Sequence, residues 1–220
     1  LGDVYKRQEE KRSIAIHEAG HASISWLLRY ANPLIKVTIV PRGRALGAAW
    51  YLPEERQITT KEQMLDEMCA TLGGRAAEDL FLNRISTGAM NDLERVTKQA
   101  YGMIAYLGMS DKLPNLCYYS NEEYSFSKPY SDRTAELIDE EVKRMINEQY
   151  DRAKAILSEH KDGHNKLARL LVEKEVIFAE DVERIFGKRP WTSRSEEIMA
   201  AEEGASKTIK ETENFDEKEI

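Results

Sequence analysis

Two histidines four residues apart, in His17-Glu18-Ala19-Gly20-His21, constrain this 220-residue chain more than any other feature. On a helix that spacing sets the two imidazoles about 6 Å apart along the axis and on nearly the same face, so one metal ion can reach both. An imidazole nitrogen suits Zn²⁺ at about 2.0–2.1 Å, and two of them leave room for a third protein ligand and a water, the layout of a catalytic zinc site. Glu18 comes directly after the first histidine and projects about 100° round the helix, where it can take a proton from water acidified by such a metal. A structural site would not need that acid. Ile14, Ile16, Ala22, Ile24, Trp26, Leu27 and Leu28 give the flanks an apolar surface, so the segment reads as a buried helix whose small residues Ala19 and Gly20 admit a close neighbour. A core helix with two merely hydrogen-bonded histidines is the plain alternative, and Glu18 weighs against it.

Around this helix the chain reads mainly as α with a small β component. Residues 1–8 look unrelated to the rest of the chain, and the metal-site helix is expected from about Glu9 to Tyr30, stopped by Asn32-Pro33. Lys36–Val40, β-branched and ended by Pro41, predicts a strand, and Leu46–Leu52 a second one. Leu46, Gly47, Ala48 and Ala49 make that second strand small enough for another backbone to lie beside it, so a peptide substrate can add there through main-chain hydrogen bonds. An ordinary hairpin strand is an equal reading of the same residues. A helix is expected next over Lys61–Leu82, capped by Thr59 or Thr60, with Glu78 and Asp79 set among the small residues Gly73, Gly74, Ala76 and Ala77. Asn91 and Asp92 stand near the start of another helix, expected over Met90–Leu107, where a carboxylate meets the positive end of the helix or simply caps it. The pattern then gives an irregular loop over 110–130, a long helix from Ser131 or Asp132 to about His160, and short helices over Leu167–Lys174 and Ala179–Phe186. His160 and His164 are also four apart, but Asp162 and Gly163 are expected to break the helix between them and no acid stands directly after the first.

Composition narrows the class. The net charge is −7, and residues 195–220 hold nine acids against three lysines, so nearly all of it lies in a terminal segment; the rest offers no basis for nucleic-acid binding. Residues 188–220 therefore read as an acidic, disordered tail. Cys69 and Cys117 are too few for a disulfide framework and fit a reducing compartment. With no initiator Met, no secretory pattern and no apolar run near the roughly 18–20 residues of a membrane span, the chain reads as a piece of a longer protein.

Several further stretches accompany the histidine motif in order: Val37-Thr38-Ile39-Val40-Pro41-Arg42-Gly43, Leu52-Pro53-Glu54-Glu55, Gly73-Gly74-Arg75-Ala76-Ala77-Glu78, Ser86-Thr87-Gly88-Ala89-Met90-Asn91-Asp92 and Gly108-Met109-Ser110. Together, over about residues 9–187, they resemble the peptidase domain of the FtsH family of membrane-anchored, ATP-dependent zinc metalloproteases. That resemblance implies a mostly helical domain with a small sheet on the cytoplasmic side of a membrane. It also implies a homohexameric ring and degradation of membrane and cytoplasmic polypeptides fed from an attached AAA ATPase. Carried over to this chain, the zinc ligands fall on His17, His21 and Asp92 and the catalytic acid on Glu18. The residues themselves leave Glu78 and Asp92 as rivals for the third ligand, with Glu78 the alternative or a hydrogen-bond partner of a ligand imidazole. A metzincin would need Gly and His where this chain has Ile24 and Leu27. No Gly-x-x-x-x-Gly-Lys-Ser/Thr loop is present, so ATP with Mg²⁺ enters only through an ATPase domain outside this sequence. A non-catalytic zinc-binding scaffold and a self-sufficient zinc peptidase without an ATPase are the competing readings.

Overall fold

The structure, a computed structural model, describes residues 2–41, 47–52, 58–118 and 128–192, with side chains from residue 8 onward. Among the described residues, six helices and three short strands follow one another as α1 (Gly2–Leu27), β1 (Leu34–Thr38), β2 (Ala48–Tyr51), α2 (Lys61–Leu82), α3 (Met90–Tyr101), α4 (Asp132–Glu159), α5 (Lys161–Lys174), β3 (Val176–Phe178) and α6 (Ala179–Phe186). A 3₁₀ turn over Thr87–Ala89 leads into α3, and α3 passes into a π-helical turn over Gly102–Tyr106. The mainly α architecture with a small sheet is the one expected. Among the described residues, no helix is long and apolar enough to cross a membrane. The expected tail lies outside the described residues from 193 onward, as does Leu46.

Helix α1 organises the molecule because residues 15–26 of it are buried without interruption, with Ala15, Ala19, Ala22 and Ile24 fully inaccessible. It starts before the expected Glu9 and ends at Leu27, three residues earlier than Tyr30, because Asp66 of α2 takes the Tyr30 N–H at 3.0 Å and turns the chain away. Against α1 lies α2, and the two backbones approach until no side chain fits between them. A Cβ on Gly73 would stand 2.8 Å from the carbonyl oxygen of Gly20, and one on Gly20 would strike the Gly73 carbonyl. Two glycines in a helix interior cost about 1 kcal/mol each relative to alanine, a penalty met here by that close packing. Helix α2 begins as expected, with Thr60 Oγ accepting from Gln63 N–H at 3.3 Å and the Gln63 side chain accepting from Thr60 N–H at 2.8 Å.

One apolar cluster joins α1, the sheet, α4, α5 and α6 through residues such as Ile24, Val37, Leu157, Leu167, Ile177 and Val182; a second joins α2, α3, the π-helical turn and α4 through Met68, Val96, Met103, Ile104 and Ile138. The sheet runs in the order β2-β1-β3 with both pairings antiparallel. β2 is consequently an edge strand, with one of its sides unpaired among the described residues. β3 is not evident in the sequence pattern, since three residues are too few to show a period. Nor do Asp162 and Gly163 break the chain as expected. Both lie in the first turn of α5, where the Phe186 ring fills the space a Cβ on Gly163 would need, its Cζ 2.9 Å away.

Candidate metal centre

Both histidines of the motif, on α1, meet Asp92 at the start of α3. His17 and His21 bring their Nε2 atoms to 3.0 Å from each other, and Asp92 Oδ2 lies 3.3 Å from the first and 3.4 Å from the second. Among the described residues, these are the one group of three or more such side chains converging closely enough to hold a metal ion. Glu78, the other acid weighed from sequence, stands behind His17 instead.

The outer hydrogen bonds of the two rings decide what faces the centre. His21 Nδ1 lies 2.9 Å from the carbonyl oxygen of Ala70, which can only accept, so Nδ1 carries the proton and Nε2 presents a lone pair. His17 Nδ1 donates in the same way to Glu78 Oε1 at 2.8 Å. Two lone pairs and a carboxylate oxygen thus converge with no donor among them, an arrangement that calls for a cation. Four-coordinate zinc with ligands at 2.0–2.1 Å separates its ligand atoms by about 3.3 Å at tetrahedral angles, and the three distances bracket that figure. The residues fit zinc. Burial opposes a charge on His17, but the bonds to Asp92 and Glu78 outweigh it and raise its pKa to about 9, a sign of how strongly the carboxylates around it favour a cation. Burial also opposes the charge on Asp92, and the two histidines overcome it to hold the carboxyl well below its usual range.

Glu78 is held on all sides. Besides His17, it accepts the Ser86 N–H at 2.7 Å and the Ser86 hydroxyl at 2.9 Å, and Ser86 Oγ in turn accepts from Gly88 N–H at 3.1 Å. These bonds overcome a desolvation that would raise its pKa and keep it ionised. Ser86 is a site residue to which the sequence reading assigns no role, although it opens one of the stretches that carry the resemblance. Gly74 is another: its missing side chain leaves the space occupied by the His17 ring, whose Cε1 and Cδ2 would lie 2.5 and 2.6 Å from a Cβ. The signal was present, since a Gly-Gly pair inside a helix asks for a packing reason.

Glu18 is buried, and desolvation raises its carboxyl pKa against the pull of His21 and His17. Its carboxylate lies against Gly47, where a Cβ would come within 2.5 Å of Oε1. The residue just before β2 therefore touches the acid, and the edge strand carrying Ala48 and Ala49 starts beside it. Asp79, by contrast, faces away and accepts the Tyr150 hydroxyl at 2.9 Å. His164 takes no part in a metal cluster: its Nε2 lies 3.1 Å from the Ile16 carbonyl oxygen.

Known proteins resemble this chain over most of its length. The sequence profile of peptidase family M41 matches residues 4–185. The chain is 69% identical over 206 residues to the ATP-dependent zinc metalloprotease FtsH of Parabacteroides distasonis, covering 93% of this chain and 30% of that protein. It is 53% identical over 188 residues to the FtsH of Rhodothermus marinus, covering 83% of this chain and 27% of the relative. A mitochondrial inner membrane m-AAA protease component of Mus musculus is 47% identical over 189 residues, covering 85% of this chain and 24% of the relative. The chain thus spans less than a third of the length of these relatives. With a profile match over most of its length and a cluster of two imidazoles and a carboxylate of the kind a zinc peptidase requires, this chain belongs to peptidase family M41.

Proposed function

We propose that the domain is a zinc-dependent endopeptidase in which His17, His21 and Asp92 hold the metal, Glu78 orients His17, and Glu18 is the general base. The observation that carries this is the convergence of His17 Nε2, His21 Nε2 and Asp92 Oδ2 beside a buried Glu18. When bound, zinc supplies Lewis acidity, which polarises a scissile carbonyl and acidifies water. Glu18 accepts the proton from the attacking water and returns it to the departing amine. Burial raises the affinity of Glu18 for protons against the pull of His21 and His17, the direction that suits a carboxylate acting as a general base. An extended polypeptide pairs with the edge of β2 that is unpaired among the described residues, along Gly47, Ala48 and Ala49, so its main chain passes the Glu18 carboxylate without selection by sequence.

The names of the relatives give an ATP-dependent zinc metalloprotease, and for the whole protein we propose an ATPase domain that feeds unfolded segments of membrane and cytoplasmic proteins to a homohexameric ring of such domains on the cytoplasmic side of a membrane. A scaffold role is disfavoured by the burial of Glu18 beside the cluster, because a binding-only site gains nothing from an extra desolvated acid. Hydrolysis of unfolded casein by the purified chain, abolished by a chelator and restored by one equivalent of zinc, is the direct test. Metal-free protein that cleaves as fast as the reloaded protein would reject the zinc mechanism.

A further inference from the structure

Helices α1 and α2 meet backbone to backbone at Gly20 and Gly73, and on one side of that crossing His21 Nδ1 ties α1 to the Ala70 carbonyl of α2 at 2.9 Å. The bond from His17 on α1 to Glu78 on α2 spans only 2.8 Å, and a slide of about 0.5 Å would take it beyond good hydrogen-bond range. His164, from the first turn of α5, is fully buried and touches both helices at the level of that bond. Its Nε2 lies 3.1 Å from the carbonyl oxygen of Ile16, the residue before His17, and its ring stacks on Phe81, one turn beyond Glu78, with centroids 4.2 Å apart and planes 14° apart. A helical carbonyl that already bonds the amide four residues on keeps a second lone pair, which the imidazole N–H can use.

We propose that His164 is a positioning residue of the metal site, clamping the Ile16 carbonyl of α1 and the Phe81 ring of α2 so that His17 and Glu78 stay in register. This role rests on the zinc reading of the site. Burial pushes the His164 pKa down to about 4, so the ring works as a neutral donor with its proton on Nε2. A leucine or phenylalanine would fill the same space and could not donate to Ile16.

The test compares His164→Phe, which keeps a ring against Phe81 and loses the donor, with His164→Gln, whose amide nitrogen reaches close to the position of Nε2. Zinc affinity is titrated well below the melting temperature of each, and the visible spectrum of the cobalt-substituted protein reports ligand geometry. The phenylalanine variant is expected to bind zinc about tenfold more weakly, the low end of the loss seen when a ligand's supporting bond is removed, with an altered cobalt spectrum. The glutamine variant should stay within about threefold of the unmodified chain. Equal affinities in all three proteins, or equal losses in both variants, overturn the role. Should His164→Phe fail to fold, nitrogen-15 spectra of the unmodified zinc-loaded protein still decide. A His164 proton on Nε2 supports the clamp, and one on Nδ1 overturns it. An unmodified chain that takes up no zinc would sink the zinc reading itself, a separate outcome.

Discussion

His17 Nδ1 and Glu78 Oε1 lie 2.8 Å apart, and this one bond settles which nitrogen of His17 faces Asp92. The two acids that rivalled each other in the sequence are thereby divided: Asp92 stands before the imidazoles and Glu78 behind one of them. Their loss should have different consequences. Asp92→Ala leaves two nitrogens to hold zinc and should purify nearly metal-free and inactive, while Glu78→Ala should still take up zinc with an affinity about 10–100-fold lower. Zinc titration of both variants, with circular dichroism as a check on folding, measures the contrast. If Glu78→Ala lost the metal and Asp92→Ala kept it, the two roles would have to be exchanged.

Glu18 makes the opposite combination of effects testable. Glu18→Gln is nearly isosteric and leaves both histidines and Asp92 in place, so zinc content should be unchanged. Peptidase turnover should fall by roughly 10²–10⁴-fold, the usual contribution of a general base. Near-normal casein cleavage by the zinc-loaded variant would remove Glu18 from the mechanism.

Gly74 sets helix propensity against packing. Replacing a mid-helix glycine by alanine ordinarily stabilises a protein by up to about 1 kcal/mol, yet here the new methyl would sit 2.5 Å from His17 Cε1. Overlap of that size forces the ring to move, and the ring is held by Glu78. Gly74→Ala should therefore remain helical and lose zinc affinity by at least tenfold, while Gly88→Ala, whose Cβ would meet nothing closer than Ser86 Oγ at 3.2 Å, should lose much less. Comparable zinc binding by Gly74→Ala and the unmodified chain would contradict the cradle.

Local signals explain what was legible in the sequence. Thr60 and Gln63 fix the start of α2, Ser131 that of α4, and His17-Glu18-Ala19-Gly20-His21 announces a shared ion, because each depends on residues a few positions apart. The relation of Asp92 to the histidines depends on how α3 crosses α1, some seventy residues away in sequence, and no periodicity encodes that angle. β3 was hidden for the same reason, its three residues being strand only because Val37 pairs with Ile177 across the sheet. Gly163 misled because its glycine serves the Phe186 ring and not a turn.

Away from the metal, Glu141 gives a pH-dependent prediction. Its buried carboxylate accepts from Arg144 Nε and Nη2 at 3.0 and 2.9 Å, from the Ser110 hydroxyl at 2.7 Å, and lies 3.2 Å from Lys112 Nζ. Ser110 Oγ also receives the Lys112 N–H at 3.1 Å, so this acid ties the loop after Gly108 to α4. The Arg144 guanidinium first, helped by Ser110 and Lys112 against desolvation, holds its pKa at about 2, against 4.5 for an ordinary glutamate. A depressed carboxyl stabilises the fold fully above the unfolded value, and that contribution is lost as pH falls from about 4.5 through about 2. The shift corresponds to about 3 kcal/mol at most, and solvent around the part-exposed Arg144 reduces it to roughly 2 kcal/mol. Glu141→Gln should accordingly be less stable than the unmodified chain by about that amount at pH 7, with the two stability curves converging toward pH 2. Urea unfolding of both proteins, freed of metal and followed from pH 7 to pH 2, gives the two curves. A constant gap across that range would mean that Glu141 contributes through packing and not through its charge.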